Sequence, residues 1–128
     1  MLTSEIIERY SREILVREIG VKGLYKLKKT RVLIIGCGAT GTFQAELLAR
    51  PGIGFIRIVD KDFYNYSDSA NALPKPMACA NGLKEIEPSI GVEPITARVT
   101  NKNILDLMKE HRDIIIETAM KLRHVLIV

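Results

Sequence analysis

Apolar residues recur along the first part of the chain at the spacing of a helix. Residues 4–17 carry apolar side chains three and four positions apart, which predicts an N-terminal helix capped by Thr3 or Ser4. A second, short helix is expected near residues 21–29. Further helices are predicted from the glycine-rich run after Ile35 to about Arg50, over Lys75–Ile86, and from Thr100 or Asn101 to Lys109.

Between these helices the apolar residues form short continuous runs, which is the pattern of strands that are buried on both faces. Val92–Val99 contains Pro94 and is therefore expected at an edge of the sheet. The other strands are predicted at Arg31–Ile35, Phe55–Asp60, Asp113–Ile116 and Val125–Val128. Strands that alternate with helices predict an α/β fold, a mostly parallel sheet with helices on both faces. Residues 61–74 are polar and are expected to form one long loop.

Composition places the chain among ordinary globular domains. It has 128 residues, of which 47% are hydrophobic and 27% charged. We expect a single domain over 1–128, with N-terminal helices in 1–29 and βαβ units in 30–128. No apolar run approaches the ~20 residues of a membrane span, and the first residues do not resemble a secretory signal. The sequence therefore predicts a cytoplasmic protein with no membrane partner.

The net charge of +4 is concentrated near the N-terminus, where eight basic residues between Arg9 and Arg31 face only two acidic ones. This segment is either a solvated helix face or a surface for a polyanion. Because no series of aromatic residues accompanies the charge, nucleic acid is not the expected partner. Cys37 and Cys79 form no metal-binding pair. Cys37 is either a thiol acidified by a helix start or a small residue in a tight turn.

Gly36, Gly38 and Gly41 form a G-x-G-x-x-G motif between a predicted strand and a predicted helix. In that setting the first glycine permits a tight turn, the second lets a phosphate approach the backbone, and the third allows close helix packing. Asp60 ends the next strand, where a carboxylate can bind both ribose hydroxyls and disfavours a 2′-phosphate. Asp62 could hold a cation or a water nearby. The motif predicts a nucleotide-binding, Rossmann-like domain, but it leaves the nucleotide open.

Several segments together resemble the ThiF/MoeB/HesA proteins, the prokaryotic relatives of ubiquitin-activating enzymes. They are Arg9-Tyr10-Ser11-Arg12, Glu18-Ile19-Gly20, the strand and glycine motif, Val59-Asp60-Lys61-Asp62, and Pro74-Lys75 with its helix to Ile86-Glu87-Pro88. The resemblance implies a homodimeric adenylyltransferase that binds Mg-ATP. It also implies that AMP is attached to the C-terminal glycine carboxylate of a small ubiquitin-like sulfur-carrier protein.

Carried over by position, the resemblance implies that Gly36, Gly38 and Gly41 cradle the phosphates and that Asp60 holds the ribose. Lys75 would reach the phosphates as a catalytic cation, and Arg12 would do the same, in many members from the neighbouring subunit. Fixed positive charge suits adenylation because phosphate charge builds up there. No side-chain base is needed, since a carboxylate attacks already ionised.

The sequence also departs from the family pattern. Ser67-Asp68-Ser69-Ala70-Asn71 stands where the family has S-N-L-x-R-Q, so the loop arginine has no counterpart. Met120 stands at the position of the acid associated with magnesium, and methionine is not a magnesium ligand. The match covers the first half of the family fold. We therefore expect an ATP-binding member that is catalytically incomplete alone, with no metal site of its own.

Three alternatives stay open from the sequence. The chain could be a working adenylyltransferase whose missing parts come from a partner chain. It could be a small NAD-binding regulatory module, although that function would not explain the segment Arg9–Ile14. It could also be a structural or interaction protein with an empty pocket.

Overall fold

The computed structural model describes residues 2–64, 73–111 and 113–118. The chain forms helices α1 (Ser4–Arg9), α2 (Ser11–Ile14), α3 (Gly20–Lys29), α4 (Ala39–Ala49), α5 (Lys75–Ile86) and α6 (Ile104–Met108). The strands are β1 (Arg31–Ile35), β2 (Phe55–Asp60), β3 (Phe63–Tyr64), β4 (Leu73–Pro74), β5 (Gly91–Thr96) and β6 (Ile114–Glu117). No helix in these described ranges has the length and apolar character that crossing a membrane requires.

Four strands form one parallel sheet in the order β5-β2-β1-β6. Alternate residues of β1 enter separate apolar clusters on its two faces. Val32 and Ile34 pack in a cluster with residues of α4 and α5, whereas Leu33 and Ile35 pack with residues of α6. The predicted α/β fold with helices on both faces is therefore confirmed. Because parallel strands end on the same side, the ends of β1, β2 and β6 lie together there.

Strands β1 and β2 and helix α5 have the predicted bounds. Strand β5 lies at an edge of the sheet as predicted, but it ends at Thr96 rather than Val99. Three further predictions were wrong in detail. The N-terminal helix is interrupted at Tyr10, whose backbone (φ −103°, ψ 21°) separates α1 from α2. The expected loop over 61–74 contains the antiparallel pair β3–β4. The last described helix begins at Ile104 rather than near Thr100, because the Asn103 side chain turns back to accept the Thr100 N–H at 2.7 Å. Predicted strand Val125–Val128 lies outside the described residues.

The N-terminal helices are attached to the domain through Glu87, which follows α5 and is almost fully buried. Its carboxylate accepts hydrogen bonds from the hydroxyls of Tyr10 and Ser89 and pairs with Arg9 Nε at 2.8 Å. Lys28 lies over the Tyr10 ring, with Nζ 4.7 Å from the ring centre. Two residues of the R-Y-S-R motif therefore make structural contacts across the fold.

Helix α6 is tied to the sheet by a buried arginine. Arg57 on β2 donates to the carbonyl oxygens of Leu107 (2.8 Å) and Lys109 (2.7 Å) and pairs with Glu93 on β5 (2.9 Å). His111 is buried beside this group. Burial and the nearby Arg57 charge lower the pKa of His111, so its imidazole is neutral at pH 7.

Candidate functional site

The three glycines of the motif occupy three different environments after β1. Gly36 has φ +97°, a backbone conformation that side chains disfavour. A Cβ on Gly41 would lie 2.0 Å from the Gly36 carbonyl oxygen, so the helix approaches the turn closely. A Cβ on Gly38 would meet no atom within 4 Å, and this residue is exposed. The loop thus has an open face at its second glycine.

Helix α4 begins at this open face. Gly38 is its N-cap residue and offers no side-chain cap, and the first helical hydrogen bond runs from Thr42 N to Gly38 O at 3.0 Å. The backbone N–H groups of the first turn therefore have no acceptor within the helix. Such groups, together with the helix dipole, favour an anion at this position.

Asp60 lies at the end of β2 and contacts the glycine loop directly. Its Oδ2 accepts the Cys37 N–H at 2.8 Å, and its Oδ1 accepts the Asp62 N–H at 2.9 Å. Burial alone would raise the pKa of Asp60, but these two hydrogen bonds and the Lys75 charge outweigh it and hold the pKa below its ordinary value. Asp60 is therefore ionised. The Cys37 thiol is a third donor to this carboxylate, and a lone pair that remains could accept from a hydroxyl.

Lys75 begins α5 and stands beside the two carboxylates. Its backbone N–H donates to the Asp62 carbonyl at 2.9 Å, and its Nζ lies 3.9 Å from Asp62 Oδ2. Lys61 pairs with the other oxygen of Asp62 at 3.2 Å. Four of the candidate site residues, Gly36, Asp60, Asp62 and Lys75, are thus connected through the ends of β1 and β2 and the start of α5.

Two hydroxyl groups that the sequence reading missed also bind the loop. Thr118 follows β6, and its Oγ1 lies 3.0 Å from the Gly36 carbonyl oxygen and 3.1 Å from that of Ile35. Thr42 on α4 donates to the Cys37 carbonyl oxygen at 3.1 Å. The sequence signal for Thr118 was a threonine directly after a predicted strand. Its hydrogen-bond partner in the loop can be identified only once the pairing of the strands is known.

The remaining candidates are placed differently. Arg12 lies on α2 and is exposed, and in the described part of the chain no contact joins it to the glycine loop. The thiol of Cys37 is fully buried, and burial together with Asp60 raises its pKa, so an acidified thiol is wrong. The positions of Asp68 and Met120 lie outside the described residues.

No group of three His, Cys, Asp or Glu side chains that could hold a metal is found within the described ranges. Both oxygens of Asp62 lie near lysine ammonium groups, and both oxygens of Asp60 accept backbone N–H groups. Magnesium is usually held by one or two carboxylates together with the phosphates of a substrate, so an ion at Asp62 would have to displace one of these lysines.

A family model described as the ThiF family matches residues 10–123. The sulfur carrier protein ThiS adenylyltransferase of Bacillus subtilis is 36% identical over 122 residues, which are 87% of this chain and 36% of that protein. The SAMP-activating enzyme E1 of Haloferax volcanii is 31% identical over 111 residues, or 80% of this chain and 41% of that enzyme.

Among solved structures, a similar fold is found in the E. coli tRNA N6-threonylcarbamoyladenosine dehydratase TcdA in complex with AMP. The TM-score is 0.78 at 25% identity, and the match covers 91% of this chain and 50% of that one. The chain thus spans about a third to a half of the length of these relatives.

Proposed function

The chain belongs to the ThiF family, and we propose that its glycine loop binds the phosphates of ATP while Asp60 holds the ribose. The observation that carries this proposal is the open face at Gly38, where a side chain would meet no atom within 4 Å and where an uncapped helix begins. An ionised Asp60 adjoins that face, and ribose hydroxyls can donate to its remaining lone pairs.

Lys75 is the cation proposed to meet the phosphates. Its ammonium group lies near Asp62 and influences the pKa of Asp60, so it stands on the same side of the loop as the carboxylates. A phosphate that arrived on the α4 amides would offer this cation a stronger partner than Asp62 at 3.9 Å. Asp62 would then hold a water or a cation beside the nucleotide.

ATP is favoured over NAD by the relatives. Two similar proteins are named as adenylating or activating enzymes, and a similar fold has been solved with AMP. NAD is the second candidate, since the same loop and the same carboxylate serve dinucleotides in other Rossmann-like domains. A structural or interaction protein with an empty pocket is the third.

The finer proposal is adenylyl transfer to the C-terminal carboxylate of a ubiquitin-like sulfur carrier, with this chain incomplete by itself. The carboxylate oxygen would attack the α-phosphorus, the bond to the bridging oxygen would break, and pyrophosphate would leave. Departing pyrophosphate needs positive charge, and the loss of one well-placed donor costs about 10²–10³ in rate. No arginine occurs between Lys61 and Lys75, and Met120 replaces the expected acid.

A homodimer is part of the same proposal. Exposed apolar side chains cluster in sequence on and between the N-terminal helices, where Leu15 is 84% exposed, Val16 45% and Val21 49%. Covering such residues with a second copy removes apolar surface from water. A dimer formed there would also give Arg12 a route to the neighbouring subunit's nucleotide.

The test is equilibrium binding of ATP, AMP and NAD in parallel, with and without magnesium, to the chain and to Lys75→Ala. We expect ATP to bind most tightly and Lys75→Ala to weaken ATP about tenfold or more, the magnitude of one charge-assisted hydrogen bond. Lys61→Ala is the matched control, because Lys61 pairs with the same Asp62.

The outcomes separate the candidates. Tighter binding of NAD than ATP would favour the dinucleotide alternative, and binding of neither would favour an empty pocket. Equal losses in Lys61→Ala and Lys75→Ala would contradict the phosphate role given to Lys75.

A further inference from the structure

We propose that Thr118 is a positioning residue of the nucleotide site: its hydroxyl fixes the orientation of the Gly36–Cys37 peptide and so sets the phosphate-binding shape of the glycine loop. The inference rests on the proposed ATP function of that loop. Thr118 follows β6, whereas the glycine loop follows β1, the neighbouring strand. Its hydroxyl reaches from the end of one strand to the loop at the end of the other.

The Gly36 carbonyl has one donor available to it in the described structure. Gly36 is buried, and the carbon of Gly41 approaches its carbonyl so closely that a Cβ there would lie 2.0 Å from the oxygen. The Gly41 Cα atom therefore excludes other groups from this oxygen but does not replace an N–H donor. Thr118 Oγ1 lies 3.0 Å from this oxygen and supplies the hydrogen bond.

The neighbouring carbonyl does not need the hydroxyl. Ile35 O already accepts the backbone N–H of Thr118 at 2.9 Å, although the hydroxyl oxygen also lies 3.1 Å away. A hydroxyl carries a single proton, and an unpaired buried carbonyl is unfavourable. The proton is therefore assigned to Gly36 O, the carbonyl that would otherwise have no partner.

The other end of the same peptide is held by Asp60, whose Oδ2 accepts the Cys37 N–H at 2.8 Å. One peptide plane is thus fixed at its carbonyl by a side chain after β6 and at its amide by a side chain at the end of β2. With the Cys37 N–H committed to Asp60, the donors left for a phosphate begin at Gly38 and the first turn of α4. Rotation of this peptide would displace those donors.

Thr118→Val removes the hydroxyl and keeps the shape of the side chain. We expect the affinity for ATP to fall about threefold to tenfold, the effect of losing one neutral hydrogen bond that orders the loop. Adenosine has no phosphate, so its affinity should change less than twofold. Thr118→Ser keeps the hydroxyl and should restore ATP affinity to within about twofold of the original chain.

Thr30→Val is the matched control, because it also removes a hydroxyl that donates to a carbonyl, that of Lys26 at 2.8 Å, and it lies at the opposite end of β1 from the loop. It should leave ATP affinity unchanged. A second measurement needs no nucleotide: the Cys37 amide should exchange with solvent faster in Thr118→Val than in the original chain or in Thr118→Ser.

The results that overturn the inference are specific. Equal ATP affinity in Thr118→Val and the original chain would do so, as would equal losses for ATP and adenosine, which indicate general damage. If the original chain binds no ATP, the proposed function fails by itself. The Cys37 amide then decides the positioning claim, and unchanged exchange in Thr118→Val refutes it.

Discussion

Replacing Glu87 by alanine tests how the N-terminal helices are held against the rest of the domain. Glu87 is 3% exposed, and its carboxylate accepts hydrogen bonds from the Tyr10 hydroxyl, from Ser89 and from Arg9. Burial alone would raise the pKa of Glu87, but the hydrogen bonds from Tyr10 and Ser89 and the Lys28 charge hold it below its ordinary value. The group is therefore ionised and fully partnered.

The expected loss of stability follows from the state in which each hydrogen-bond partner is left when the Glu87 carboxylate is removed. The Tyr10 hydroxyl stays buried without a strong acceptor, which costs roughly 1–3 kcal/mol. Arg9 is half exposed, with 48% of its side chain accessible, so water replaces its partner and the cost is about 1 kcal/mol at most. We therefore expect Glu87→Ala to lower the free energy of unfolding by about 3 kcal/mol, or the melting temperature by about 10 °C.

Urea unfolding followed by circular dichroism measures this quantity, with Tyr10→Phe as a partial version of the same change. Glu85→Ala is the matched control, because Glu85 is an exposed glutamate in the last turn of the same helix. Its stability should change by less than about 0.5 kcal/mol. If Glu87→Ala costs no more than Glu85→Ala, the attachment of the N-terminal helices does not depend on this carboxylate.

Three further predictions concern pH, catalysis and assembly. Because the pKa of folded His111 lies below its ordinary 6.5, the unfolded chain binds the proton first, and stability should fall from about pH 7 to about pH 5. Urea titrations check this, and the same slope in His111→Gln would contradict it. The chain with a sulfur-carrier protein should give no ATP–pyrophosphate exchange; robust exchange that Lys75→Ala abolishes would overturn the proposed incompleteness. Sedimentation at tens of micromolar should find a dimer that Leu15→Asp weakens, and a monomeric native chain would refute it.

The sequence predicts elements well where local pattern alone determines them. The strand Arg31–Ile35 and the helix Lys75–Ile86 have the predicted bounds because each is set by a continuous local pattern with a clear stop. The N-terminal helix was predicted too long because Tyr10 leaves helical geometry and binds Glu87, which is 77 positions away. No spacing rule within the helix contains that partner.

In the candidate site, too, the features set by local pattern could be predicted from the sequence, and those set by distant partners could not. The spacing of Gly36, Gly38 and Gly41 predicts the loop, because the turn at Gly36 and the close approach at Gly41 exclude side chains locally and Gly38 leaves an open face. The hydrogen bond that the Cys37 amide donates to Asp60 and the one that Thr118 donates to the Gly36 carbonyl depend on which strands are neighbours. Strand order is a property of the whole sheet, and a single sequence carries it only indirectly.

The most direct test of the account is the ATP affinity of Gly38→Ala compared with Gly82→Ala. A Cβ would meet no atom within 4 Å at either position, so both variants should fold, and Gly82→Ala should gain about 0.5–1 kcal/mol of stability within α5. At Gly38 that open space is where we place the phosphates. We expect at least a tenfold loss of ATP affinity in Gly38→Ala alone, with a loss of stability of no more than about 1 kcal/mol, since alanine is a poorer N-cap residue than glycine. Equal ATP affinity in the two variants would contradict it.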